Sequence, residues 1–124
     1  MLDHIGFGVS DYQRSKVFYE TLLAPLGVTL LSEPAGKAAG FGESGRPFFW
    51  LEDRPPAVKG GLHIAFTVDE RETVHTFHAA GLDAGGTDNG APGLRTNYHP
   101  DYYAAFILDP DGNNIEAVCR KPAG

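Results

Sequence analysis

The sequence predicts an α+β fold of two tandem βαβββ units, on three observations. The first is an internal repeat: Asp3-His4-Ile5-Gly6-Phe7-Gly8-Val9 returns 59 positions later as Leu62-His63-Ile64-Ala65-Phe66-Thr67-Val68. At the same offset Phe18 falls on Phe77, Tyr19 on His78, Leu23 on Leu82 and Gly27 on Gly86, so the match runs from a strand through a helix into the next turn. Self-similarity at a fixed spacing constrains architecture more firmly than any single propensity. The second is that both copies of the strand run straight into a helix-start signal. The third is the connector Arg54 to Gly61, rich in Pro and Gly, which cannot continue a central strand because proline has no amide donor. Together they predict one domain over residues 1–124, with module one at about 1–53, the connector at 54–61 and module two at about 62–120.

In chain order, Leu2 to Val9 reads as a strand, and Ser10-Asp11-Tyr12-Gln13 has the S-x-x-Q form of a capping box. Val17, Phe18, Leu22 and Leu23 keep helical spacing, which predicts a helix of about three turns that ends near Pro25 to Gly27. Val28 to Ser32, a segment around Ala38 to Gly42, and Phe48 to Glu52 are candidate strands separated by Gly and Pro. In the second unit Leu62 to Val68 is the strand, Asp69-Glu70-Arg71-Glu72 the D-x-x-E cap, and Val74, Phe77 and Ala80 the apolar helix face, with Gly81 expected to stop the helix. A short strand near Leu82 to Gly86 is expected to lead into an irregular stretch, Thr87 to Asp101. Tyr102 to Leu108 and Asn113 to Arg120 follow as strands, joined by the hairpin turn signal Asp109-Pro110-Asp111-Gly112.

Composition narrows the function. Ten Lys and Arg against 16 Asp and Glu give a net charge of −6 with no basic cluster, which argues against nucleic acid or an anionic membrane and for a small-molecule partner. No apolar run approaches the roughly 20 residues of a membrane span, and Met1 to His4 leads into a strand without a signal-peptide pattern, so a cytoplasmic location is expected. The single cysteine, Cys119, allows no internal disulfide and no thiolate-rich cluster. In an apolar strand it reads as a buried, inert thiol.

Side chains alternate across a strand, so His4, Gly6 and Gly8 share one face and Ile5, Phe7 and Val9 the other. The repeat divides in the same way, with His63, Ala65 and Thr67 opposite Ile64, Phe66 and Val68. Both histidines thus sit on a face floored by small residues, which leaves open volume beside each imidazole. In the last strand Glu116 is the anomaly, because a carboxylate amid Ile-Glu-Ala-Val is rarely buried unless it is paired or bound to a cation. If Ile115, Ala117 and Cys119 face the helices, Glu116 shares the open face with the histidines. Two imidazoles and one carboxylate are the set that holds Fe(II), Mn(II), Zn or Ni with open positions, so His4, His63 and Glu116 are the candidate metal ligands.

Three segments carry a family resemblance: D-H-I-G-F-G-V at 3–9, G-L-H-I-A-F-T-V at 61–68, and Y-Y-A-A-F-I-L-D-P-D-G-N-N-I-E-A-V at 102–118. Across essentially the whole chain the pattern resembles the vicinal oxygen chelate superfamily, which includes glyoxalase I, fosfomycin-resistance thiol transferases, extradiol dioxygenases and bleomycin-binding proteins. The resemblance implies paired βαβββ modules forming a curved mixed β-sheet cup with helices outside, and it implies His4, His63 and Glu116 at the metal-ligand positions. It also implies a homodimer in which His4 and the His63/Glu116 pair come from different chains. Aligning the two terminal hairpins through Gly45 and Gly112 sets Phe49 opposite Glu116 and Glu52 on the other strand face.

With three protein ligands, a divalent metal keeps positions for two vicinal oxygens of a substrate and acts as a Lewis acid, in lyase/isomerase-like or dioxygenase chemistry. Glu116 is then also the candidate base, and His99 or Tyr103 the candidate acid–base residue of an oxygenation. Arg95, Tyr98 and Tyr102 offer an anion donor and stacking surfaces, with Arg46 and Trp50 as further candidate lining residues. His75 and His78, three apart on the second helix, read as solvated. The alternative is a non-catalytic protein that sequesters a small molecule, as the bleomycin-binding members do.

Overall fold

The structure, a computed structural model, describes residues 1–123. Strand β1 (Ile5–Gly8), helix α1 (Tyr12–Leu23) and strands β2 (Thr29–Ser32), β3 (Ala38–Glu43) and β4 (Arg46–Glu52) make the first half. Strand β5 (His63–Thr67), helix α2 (Arg71–Asp83) and strands β6 (Thr87–Leu94), β7 (Tyr103–Leu108) and β8 (Asn114–Cys119) repeat the order. Each half forms its own sheet, β1-β4-β3-β2 and β5-β8-β7-β6. Both sheets are mixed, because β1 runs parallel to β4 and β5 parallel to β8 while the remaining pairs are antiparallel. A parallel pair needs a long crossover, and each helix supplies it. The result is the α+β two-module cup fold that the repeat predicts.

Period-two alternation decides what each strand buries. Phe7, Phe41, Phe49 and Leu51 of the first sheet pack with Phe18, Tyr19, Leu22 and Leu23 of α1, all at most 5% exposed. Each such side chain contributes roughly 1.5–3 kcal/mol on burial, so this core sets the orientation of both sheets. The edge-to-face contact of Phe49 with Phe66, centroids 5.5 Å apart, carries it into the second half. Val17 lies outside it, exposed on α1.

A buried polar network ties the halves together. The Tyr19 hydroxyl donates to Asp109 Oδ2 at 2.6 Å, and Asp109 Oδ1 accepts from the amides of Asp111 and Asn113, both at 2.9 Å. Asn113 Nδ2 in turn donates to the Val58 carbonyl in the connector at 2.8 Å. Burial and the Asp109 charge hold the Tyr19 phenol well above its ordinary pKa, so it remains a donor.

Several boundaries differ from the sequence expectation. Asp11, not Ser10, caps α1 by accepting from the Arg14 amide at 3.2 Å, because Ser10 is engaged through its amide and hydroxyl by Asp111 of the β7–β8 turn. Among the described residues no side chain caps the start of α2, whose N-cap is Glu70 rather than Asp69. Gly81 does not stop that helix but lies buried inside it, where a Cβ would come within 2.8 Å of Ile107 and 3.0 Å of Leu22. Its role is close approach. Gly81→Val is therefore expected to destabilise by about 1–3 kcal/mol through overpacking, read as a lower urea midpoint at unchanged m-value; an unmoved midpoint would contradict the packing. Leu82 to Gly86 forms no strand, and most of the expected irregular stretch is β6. Ala91-Pro92-Gly93 suits a strand here because β6 is an edge and its register shifts twice, between Asp88 and Gly90 and between Gly90 and Gly93.

Candidate metal and substrate site

In the second sheet the register sets Ala65 of β5 beside Glu116 of β8, and Glu116 beside Phe106 of β7. Ile115, Ala117 and Ile107 are spent on the core, so their neighbours in sequence face the other way. That open face carries His63, Glu116 and Phe106. Glu116 is only 1% exposed, and both its oxygens are engaged: Oε1 lies 2.7 Å from His63 Nε2, and Oε2 accepts from the Tyr102 hydroxyl. Arg120 stacks over the Tyr102 ring at 4.8 Å, and Tyr98 meets it edge-on with centroids 5.1 Å apart. Burial, the bond to Glu116 and its charge push the Tyr102 phenol up to about 12, so it remains a proton donor to Glu116 at neutral pH.

The first sheet supplies a matching open face. His4, just ahead of β1, is exposed, with Nδ1 2.8 Å from Asp3 Oδ1. A carboxylate on one ring nitrogen orients an imidazole and leaves the other available as a donor to a ligand. Gly6 pairs with Trp50 as Ala65 pairs with Glu116, so the true repeat equivalent of Glu116 is Trp50 and not Phe49. The hairpin alignment was one residue out of register, which moves a strand's whole side-chain set to the other face. Phe49 is in the core, while Trp50 lines a hollow with His4, Gly6 and Glu52. The Trp50 ring lies flat on Gly40, where any Cβ would stand 2.6 Å from it. Glu52 is likewise corrected: it shares the Trp50 face, and its Oε1 accepts from Arg54 at 2.7 Å.

Of the residues singled out from sequence, the structure thus joins His63, Glu116 and Tyr102, with Tyr98 beside them, and separately joins His4 and Trp50. Arg46 lies in a cleft with His4, Phe48 and Ile64, its guanidinium 3.5 Å from the Asp3 carbonyl. Tyr103 sits on the opposite face from Glu116, with its hydroxyl 2.6 Å from His75 Nε2 and Arg71 stacked on its ring. His99 is in the β6–β7 loop, where its Nδ1 accepts from the Asp101 amide at 3.1 Å. His78 is not solvated as expected; it is held 2.9 Å from Asp88 Oδ1, and its side chain is 12% exposed. Cys119 is a buried thiol packed with Val74 and Ala105.

The donor set suits a divalent metal only in part. His63 Nε2 and Glu116 Oε1, an imidazole nitrogen and a carboxylate oxygen, are in direct hydrogen-bond contact, and both are donor types that a divalent ion uses. Among the described residues, however, no group of three or more His, Cys, Asp or Glu side chains of one chain gathers closely enough to hold an ion. Phe106 and Arg120 are lining residues not singled out from the sequence, and the hairpin alignment sets Glu52 on the wrong strand face; spacing held the signal for two of the three, since Glu52 is two positions from Trp50 and Arg120 four from Glu116.

Comparisons with known proteins agree with this fold. A glyoxalase/bleomycin resistance protein from Albidiferax ferrireducens T118 is 33% identical, covers 96% of this chain and 98% of its own, and superposes with a TM-score of 0.83. The fosfomycin resistance protein from Mesorhizobium loti shares the fold at 18% identity, over 96% of this chain and 91% of its own, with a TM-score of 0.69. A mutant of the fosfomycin resistance protein from Listeria monocytogenes, complexed with Mn(II) and 1S,2S-dihydroxypropylphosphonic acid, does so at 17% identity, over 95% and 88%, with a TM-score of 0.70. No curated protein matches the chain. The profile of the Glyoxalase/Bleomycin resistance protein/Dioxygenase superfamily matches residues 1–117, and the chain belongs to that superfamily.

Proposed function

We propose that this protein is a metal-dependent enzyme acting on a small molecule, with a divalent ion held by His63 and Glu116 of one chain and His4 of a second copy. One observation carries the reading: a carboxylate that is 1% exposed lies 2.7 Å from an imidazole on an otherwise open sheet face. Desolvating a carboxylate is costly, and a cation shared with the imidazole repays it. The Asp3 contact on Nδ1 suits His4 to give its Nε2. The Mn(II) in the Listeria relative supports the class of ion.

A bound divalent ion supplies Lewis-acid polarisation of two neighbouring substrate oxygens. The chain's own residues do the rest. Tyr102 holds Glu116 Oε2, so that Oε1 remains on the His63 side. Trp50 and Phe106 form flat walls, and Glu52 offers a second carboxylate that can accept a proton on the His4 half. The competing reading, sequestration of a planar compound without chemistry, draws on the two-donor limit within one chain.

The test uses protein purified without chelator. Wild type should carry one metal per chain; His4→Ala and His63→Ala should each carry none. Mixing the two variants under conditions that exchange subunits should restore one intact site per mixed dimer and one metal with it. A site lying within a single chain would gain nothing from mixing, and metal-free wild type would favour sequestration.

A further inference from the structure

On the open face of the second sheet, two guanidinium groups stand without a carboxylate partner among the described residues. Arg95 Nη1 donates to the Gly93 carbonyl and Nη2 to the Ala91 carbonyl, both at 2.8 Å, and the group lies over the Phe106 ring, 5.4 Å from its centroid. Phe106 in turn abuts His63, with ring centroids 6.2 Å apart. Arg120 lies over Tyr102, the ring whose hydroxyl holds Glu116. The two cations therefore flank the His63–Glu116 pair, each resting on an aromatic that touches it.

Their environment is built. The β6 bulge places Gly90 and Gly93 against the Arg95 guanidinium, where added Cβ atoms would stand 3.1 Å from Nη2 and 3.2 Å from Nη1. Side chains there would push the group off Phe106. Two carbonyls fix its plane, and the rest of its five N–H donors carry no bond among the described residues. The chain has carboxylates in excess, at a net charge of −6, and pairs Lys16, Arg54, Arg71 and Lys121 with them. Arg95 and Arg120, like Arg14, Lys37, Arg46 and Lys59, have no such partner among the described residues; what sets Arg95 apart is the pair of carbonyls that braces it over Phe106, beside His63. A planar, braced guanidinium with free donors is the group that grips an oxyanion through two parallel bonds. Both Glu116 oxygens are taken up by His63 and Tyr102, and neither forms an ion pair with Arg95 or Arg120.

We propose that this face binds a small organic oxyanion, a carboxylate or phosphonate on a flat body, with Arg95 as the recognising group and Arg120 as a second cation beside it. The proposal rests on the reading of the His63–Glu116 face as the substrate site and is independent of the metal. Phe106 and Tyr102 stack the body, and Arg95 takes the charged end.

The experiment titrates metal-free, EDTA-treated 15N-labelled protein with benzoate, phenylphosphonate and the neutral analogue benzamide, and follows the amides of Gly90 and Gly93 and the Arg95 Nε–H resonance. Both anions should give saturable shifts there, and benzamide none at the same concentration; the tighter anion names the oxyanion class. Arg95→Gln should weaken anion binding by about tenfold or more, the worth of one charge-assisted contact. Arg95→Lys, which keeps the charge and spares the β6 bulge, should lose a similar factor, and Arg120→Gln less. Equal shifts with benzamide, shifts confined to another face or absent, or unchanged affinity in folded Arg95→Lys would overturn the proposal. A failed metal reading would show instead as metal-free wild type, with this anion selectivity intact.

Discussion

Glu116→Gln should leave the fold in place and abolish the metal binding proposed for the His63–Glu116 pair. The side chain is 1% exposed and lies between the His63 imidazole and the Tyr102 hydroxyl. Glutamine keeps its shape and can still accept from Tyr102, so the urea midpoint should fall by no more than the equivalent of about 1 kcal/mol, the net worth of one neutral hydrogen bond. The charge is what the substitution deletes. Loss of an outer partner alone lowers metal affinity by roughly 10–100-fold, and loss of a charged ligand should exceed that range. Calorimetric titration with Mn(II), beside a urea curve, reads both quantities. Unchanged affinity at unchanged stability would show that Glu116 is a structural acid, buried for the sake of Tyr102.

Asp109→Ala should produce the largest loss of stability among single substitutions at polar sites. Asp109 Oδ2 accepts from Tyr19 of α1, and Oδ1 accepts from the amides of Asp111 and Asn113, so one carboxylate joins the first helix to the last turn. Hydrogen bonds to a charged group are worth about 1.5–3 kcal/mol each, and a buried donor left without a partner costs about 1–3 kcal/mol. Tyr19 is 0% exposed, so water cannot replace the lost acceptor. The expected cost is about 3 kcal/mol or more, a large share of a stability of about 5–15 kcal/mol, seen as a fall in Tm of roughly 10 °C. Tyr19→Phe, which removes the donor together with its need for a partner, should cost less than half as much. Equal losses in the two variants would mean that the turn amides contribute nothing.

The repeat made the two-unit architecture legible, because hydrophobic alternation in both copies of the strand and helical spacing around Phe18 and Phe77 are local signals. What escaped was set by distant partners. Ser10 has the chemistry of a cap, but Asp111 claims it from the far end of the chain. Gly81 looks like a helix stop until Ile107 and Leu22 are seen packed against it. The poor strand formers of β6 pair because a sheet edge tolerates them. In the site, His63 and Glu116 were readable from alternation. His4 occupies the equivalent place, but equivalence in a repeat puts a residue in the other half, not beside its twin. Tyr102 and Tyr103 show the limit most clearly: adjacent tyrosines face opposite ways, and only the strand's phase shows which of them reaches Glu116.

The indole that takes the place of Glu116 in the first half has a practical consequence. The chain has a single tryptophan, and it lies partly exposed in the hollow with His4 and Glu52. Its emission is therefore a label-free optical gauge of that hollow, uncontaminated by any other indole. A compound seated against the sheet there will alter its colour or brightness, and one bound elsewhere will leave both unchanged.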